Sequence, residues 1–344
     1  MNNVNEIIID SIIKKAKLVC PNSLELIGIY GSVATGDDYD KSDLDLLILI
    51  NDDNGWKLGC GFILDDTHIG YDIYCTNWEG IQRESECNHA HLSKLLDSKI
   101  IYVKNQIAAE RLEEIKRNTK LFLSTSSIRE KAKEALKKAK ISYAEACLVD
   151  DISKVRTEAS DVISYLLDAV MLYNGRYFKL GIKRTFEELA NLNLSPCFEE
   201  EINSIVKSED ATKIKVSLAY LIKFVEKYIK VEKVKESPSV DNISGSYEEM
   251  FSNWRNKVEE AAQNTDQFSS FMNLCSLQKM IHNMAEHVDM EDFEIMYKYN
   301  PNDLINNINV YDNALEKYKE TYNRAGIVPK HYANVNEFVK DYIS

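Results

Sequence analysis

The chain has 344 residues, 44% of them hydrophobic and 28% charged, and a formal net charge of −13. That composition excludes a disordered or fibrous chain, and the length suits two or three domains better than one core. No apolar stretch reaches the ~20 residues of a membrane span, and the acidic balance disfavours a broad nucleic-acid surface, which needs clustered lysine and arginine.

The N-terminal stretch MNNVNEIIIDSIIKKAK lacks the basic start, long apolar centre and small-residue cleavage site of a signal peptide, and residues 7–18 read as an amphipathic helix. Residues 24–30 (LELIGIY) and 44–50 (LDLLILI) read as strands. After the glycine-rich GWKLGCG, the runs FIL and HIGYDIYC flank a polar turn around DDT, the pattern of a hairpin. Residues 79–98 read as helix and IIYVK, residues 100–104, as a last short strand. Helical periodicity then fills residues 107–235, interrupted at NGRYFKLG and near Pro196. The segment ESPSVDNISGS, residues 236–246, reads as a linker, and residues 247–344 are helical again. The expected fold is α+β: a small mixed-sheet domain over 1–105, then helical domains over 106–235 and 247–344, with 236–246 between them. Seven scattered cysteines, none in a C-x-x-C pair, fit a reducing cytoplasm.

The chemistry concentrates in GSVATGDDYDKSDLDLLILI, residues 31–50. Strand side chains alternate, so Asp43 and Asp45 share one face and Leu44 and Leu46 the other. Two carboxylates on one face repel unless a cation lies between them. Mg²⁺ suits such a site, because it prefers hard oxygen ligands and takes one or two carboxylates plus substrate phosphates. A pair of such ions activates an attacking hydroxyl and stabilises leaving pyrophosphate. Upstream, Gly31 permits close approach of the backbone to a phosphate, and Ser32 offers a hydroxyl at the start of a helix. The segment is not a P-loop, since no G-K-[ST] closes it.

Gly31-Ser32 followed after ten residues by Asp43-Leu44-Asp45 resembles the signature of the DNA polymerase β-type nucleotidyltransferase superfamily, over about residues 20–105. The resemblance implies a third metal-binding carboxylate on a neighbouring strand, and Asp72 in HIGYDIYC is the matching candidate. It also implies an Mg²⁺-dependent enzyme, with two ions held by Asp43, Asp45 and Asp72, that transfers AMP from ATP to a hydroxyl of a small molecule. Members that modify antibiotics, the aminoglycoside nucleotidyltransferases, join this domain to a helical one, and residues 154–189 look similar to that second domain. An amine-bearing acceptor drawn by the negative charge is therefore expected. Adenylylation of a protein and a catalytically inactive nucleotide-binding protein are the alternatives.

In the helical region Glu158, Asp161 and Asp168 fall on one helix face. They read either as a solvated acidic stripe or as carboxylates lining an acceptor pocket. Lys183, in the basic break NGRYFKLGIKR, reads as a reach toward triphosphate across a cleft or as a partner of nearby glutamates. Cys87, His89 and His91 do not share a helical face, which argues against a zinc site. Phe293, Tyr297, Tyr311, Tyr318 and Tyr322 recur at mostly helical spacing and read as packing, within a core or a homodimer.

Overall fold

The computed structural model describes residues 3–230 and 235–343. It is α+β, with a small mixed sheet followed by helices. Residues 1–230 form one compact unit and residues 231–344 a second. Among the described residues no helix is long and apolar enough to cross a membrane.

The first unit opens with α1 (Asn3–Val19), β1 (Leu24–Ile29), α2 (Gly31–Thr35) and β2 (Leu46–Ile50). A 3₁₀ turn over Asp53–Leu58 carries the glycine-rich stretch into β3 (Cys60–Leu64), β4 (Ile69–Ile73) and β5 (Cys75–Asn77). Then come α3 (Trp78–Ser85), α4 (Ser93–Leu96) and β6 (Lys99–Val103). The sheet runs β5-β2-β1-β6, with β2 and β5 parallel and the other pairs antiparallel. Strands β3 and β4 form a separate antiparallel ribbon.

Strands β1 and β2 are buried throughout because both faces of the sheet are covered. Ile27, Ile29, Leu46, Ile48 and Ile50 pack with Ile8, Ile9, Ile12 and Ala16 of α1. Leu26, Leu47 and Leu49 face the opposite way, into a core with Ile81, Leu92, Leu95 and Leu112. That second core continues through α5 (Gln106–Leu123), α6 (Ile128–Cys147), α7 (Ile152–Tyr173), α8 (Thr185–Leu189), α9 (Cys197–Lys207) and α10 (Ala211–Tyr228). Sheet and helices thus share buried side chains, with no break in packing at residues 105–106.

The helix expected over 79–98 is split. Its middle, residues 86–92, leaves the helix where Cys87 takes a left-handed backbone (φ 53°). The strand expected over 44–50 starts at Leu46, so Asp43 and Asp45 stand just ahead of it.

In the second unit the segment read as a linker is folded. Glu236 exchanges backbone hydrogen bonds with His287 (2.8 Å) and Asp289 (2.7 Å). Ser239 and Asn242 cap α11 (Val240–Ile243) reciprocally, and Ser246, buried, opens α12 (Ser246–Met250). Serine and asparagine there are caps rather than spacer residues. The boundary placed at 235–236 adjoins residues 231–234, which lie outside the described residues. After α13 (Asn256–Gln263) and α14 (Gln267–Ala285), the long α15 (Leu304–Arg324) and a terminal α16 (Val335–Tyr342) complete the unit. Tyr311, Tyr318 and Tyr322 of α15 are fully buried and Phe293 nearly so, whereas Tyr297 is exposed. The buried phenols are paired: Tyr318 with Ser246 Oγ (2.6 Å), and Tyr311 donating to the Met250 carbonyl (2.5 Å).

Candidate functional site

The site is assembled where β1 ends. The Tyr30 N–H donates to the Asp45 carbonyl (3.1 Å), which carries the pairing of β1 and β2 one step beyond the strands. Gly31 then adopts φ +66° and turns the chain into α2. A side chain is excluded there twice over. The left-handed backbone strains any L-residue, and a Cβ would collide with the Asp45 carboxylate. Glycine at this position is what lets Asp45 lie against the turn. Helix α2 has no side-chain cap at its start and ends at Gly36 (φ 79°), where the Gly36 and Asp37 N–H groups both donate to the Ser32 carbonyl (2.9 and 3.0 Å). The Ser32 hydroxyl has no hydrogen-bond partner among the described residues and stands half-buried beside Gly31.

Asp43 is exposed and Asp45 half-buried. Burial, reinforced by the charge of Asp43, pushes the Asp45 carboxyl up to about 6. Neither carboxylate accepts a hydrogen bond among the described residues. Their fields extend to two tyrosines. Burial, then Asp45, Glu84 and Asp43, push the Tyr30 phenol up to about 12, and burial with Asp43 raises Tyr71. Both phenols therefore stay protonated, as neutral neighbours of the acid pair. Glu84 of α3, held by Lys94 at 3.1 Å, belongs to this negative field, yet no motif in the sequence marks it.

Asp72 is the third carboxylate that the resemblance implies. It lies on β4, whose Ile69, Tyr71 and Ile73 point into the core while Gly70 and Asp72 face outward. Across the ribbon it faces Gly61. The strand beside β2 is β5, and β5 carries no carboxylate. Among the described residues no three His, Cys, Asp or Glu side chains are grouped as metal ligands would be. Asp43 and Asp45 therefore form the candidate cation site, and a third-ligand role for Asp72 rests on the sequence resemblance alone. That pair does fit one hard divalent cation: two oxygen donors, mutually repelling and unsatisfied, beside a turn open to phosphate.

Lys183 reaches the same neighbourhood from the helical region, its Nζ donating to the Asp37 carbonyl at 2.9 Å. Arg184, beside it, pairs with the Asp37 carboxylate. The three acids of α7 separate. Asp161 is exposed and Glu158 half-buried, but Asp168 is 5% exposed and accepts a hydrogen bond from Ala90 N at 2.7 Å. Burial raises its carboxyl, opposed by that bond and by His91 and His89. Asp168 is thus a buried tie between α7 and the 86–92 segment, not part of an open acidic face. His91 stacks on Phe178 (5.1 Å), and Cys87 is fully buried, its thiol pushed up to about 11 by burial.

No protein-family model and no curated protein matches the chain. Among solved structures it is similar to a nucleotidyltransferase-like protein from Exiguobacterium sibiricum 255-15, at 13% identity and a TM-score of 0.38, over 73% of this chain and 89% of that one. A likeness that loose leaves the functional reading to rest on the chain's own residues.

Proposed function

We propose that the protein is an Mg²⁺-dependent nucleotidyltransferase that moves a nucleoside monophosphate, AMP from ATP, onto a hydroxyl of a small acceptor. The observation that carries this reading is the seat of Asp45 on the Gly31 turn with Asp43 beside it. Asp43 and Asp45 would hold the magnesium, which when bound neutralises phosphate charge and stabilises leaving pyrophosphate. Gly31 leaves the backbone bare, so a phosphate can approach it closely. The Ser32 hydroxyl, without a partner among the described residues, donates to a phosphate oxygen. Lys183 adds positive charge behind α2. The half-buried Tyr30 phenol, kept protonated beside the acid pair, adds no charge there.

The acceptor is proposed to carry amines, as an aminoglycoside does, because a chain of net charge −13 attracts polycations. The test is incubation with α-labelled ATP, Mg²⁺ and a panel of aminoglycosides and other amine-bearing hydroxyl compounds, with mass analysis of labelled products. A product heavier by one nucleoside monophosphate, with release of pyrophosphate, supports the reading. Absence of transfer to any acceptor, or transfer undiminished in Asp43→Asn, contradicts it.

A further inference from the structure

The basic tip of the segment between α7 and α8 is held down in an unusual way. After Gly175 (φ 63°), the Glu188 carboxylate accepts from Lys179 N (2.9 and 3.2 Å) and Leu180 N (3.1 Å), which anchors the base of the tip. Beyond that anchor, Ile182 is 94% exposed, so the tip has no apolar seat. What holds it is charge: Lys183 Nζ on the Asp37 carbonyl at 2.9 Å and Arg184 Nη1 on the Asp37 carboxylate. Glu187 engages Arg184 through both Nε (2.8 Å) and Nη2 (2.7 Å), so Nη1 is the arm that Asp37 holds. Lys183 has no carboxylate partner among the described residues. Asp37 is itself fixed by the bond from its N–H to the Ser32 carbonyl, at the far end of the five-residue helix that begins with Gly31. At 1.5 Å per residue that helix separates the two ends by about 7–8 Å, comparable to the length of a triphosphate.

We propose that Lys183 and Arg184 are a polyphosphate clamp which Asp37 occupies in the ligand-free protein, so that bound polyphosphate must displace the Asp37 carboxylate from Arg184. The guanidinium donates from the arm that Asp37 gives up, and phosphate brings more charge than one carboxylate. The contact it replaces is half-exposed, so water reaches it and the pair can exchange. Asp37 then acts as a built-in competitor: it keeps the tip in place without ligand and lowers affinity for any anion unable to outbid it. The identity of the polyphosphate as a nucleotide tail rests on the function proposed above; the clamp itself does not.

The probe is inorganic tripolyphosphate, titrated calorimetrically without magnesium into the full chain. Asp37→Asn is expected to bind it about two- to fivefold more tightly, the scale of one surface ion pair. Asp38→Asn, which removes the same charge from the exposed neighbour, gives a smaller gain. Arg184→Gln binds more weakly, and in that background Asp37→Asn gives no gain. Should Arg184→Gln fail to fold, Arg184→Met keeps the aliphatic stem and serves as the background. Unchanged or weaker binding by Asp37→Asn overturns the clamp. So does a gain that survives loss of Arg184, or one that Asp38→Asn matches. Transfer of label from ATP, measured alongside, separates the two readings. The clamp signature without transfer removes the nucleotidyltransferase alone, and transfer without the signature removes the clamp alone.

Discussion

Asp45 and Asp168 are both aspartates withdrawn from water, both with carboxyls raised by burial, and the chain treats them oppositely. Asp168 is met by a backbone donor, Ala90 N–H, and by the nearby imidazoles of His89 and His91. Asp45 is met by the charge of a second carboxylate and, among the described residues, by no donor. Burying a charge costs free energy unless a partner offsets it. The partner of Asp168 lies inside the fold, so its work is structural. Asp45 and Asp43 have none among the described residues, which is why a divalent cation is proposed as their partner.

The sharpest way to break that contrast is to neutralise each acid. Asp43→Asn and Asp45→Asn should each lower transfer at least about 100-fold, since several kcal/mol of charge stabilisation are lost at 1.36 kcal/mol per tenfold. Neither should lower the melting temperature of the metal-free protein, because each removes a repulsion. A folded Asp45→Asn with normal turnover would end the assignment.

Asp168 should behave in the reverse manner. Asp168→Leu leaves the Ala90 N–H buried without an acceptor and should cost about 1–3 kcal/mol in denaturant unfolding. Asp168→Asn keeps an acceptor and should retain transfer. Because the folded-state carboxyl is raised, its contribution is present in acid, below the unfolded value, and is lost as pH rises through the folded one. The stability of Asp168→Asn relative to wild type should therefore grow from acid to neutral pH in parallel melts. A growing advantage of wild type would contradict the burial argument.

A smaller effect belongs to Ser32. Ser32→Ala should weaken ATP binding about three- to tenfold, the lower part of the range for a hydrogen bond to a charged group, with the fold unchanged. The smallest effect is expected at Asp72. Asp72→Asn faces solvent on the ribbon, and its transfer rate should stay within about twofold of wild type, as surface substitutions do. A large loss there would restore the three-carboxylate arrangement and blur the contrast between the two acid sites.

The acid pair and its turn were legible because each is written in local chemistry. An apolar strand entered through Asp-Leu-Asp, and a glycine where the backbone must bend, need no distant partner to be read. For Asp72 the sequence shows the alternation with Tyr71 and Ile73 but not the strand order around it. The chain inserts the β3–β4 ribbon and only then returns to the sheet, so the strand beside β2 is β5. Asp168 shows the limit of helical periodicity. It gives the side of α7 but not the depth, and depth depends on Ala90, 78 residues away. The segment 236–246 misled by composition, since serine and asparagine suit caps as well as linkers. Glu84 and Asp37 carried no signal, because their importance comes from what the fold sets beside them.

The most direct test of the contrast is binding of Mn²⁺, a hard-oxygen stand-in for magnesium, followed by electron paramagnetic resonance in three proteins. Wild type and Asp168→Asn should bind the ion alike, and Asp45→Asn should lose that binding. Equal Mn²⁺ binding by Asp45→Asn and wild type would contradict the claim that the unsatisfied pair at the Gly31 turn is the cation site.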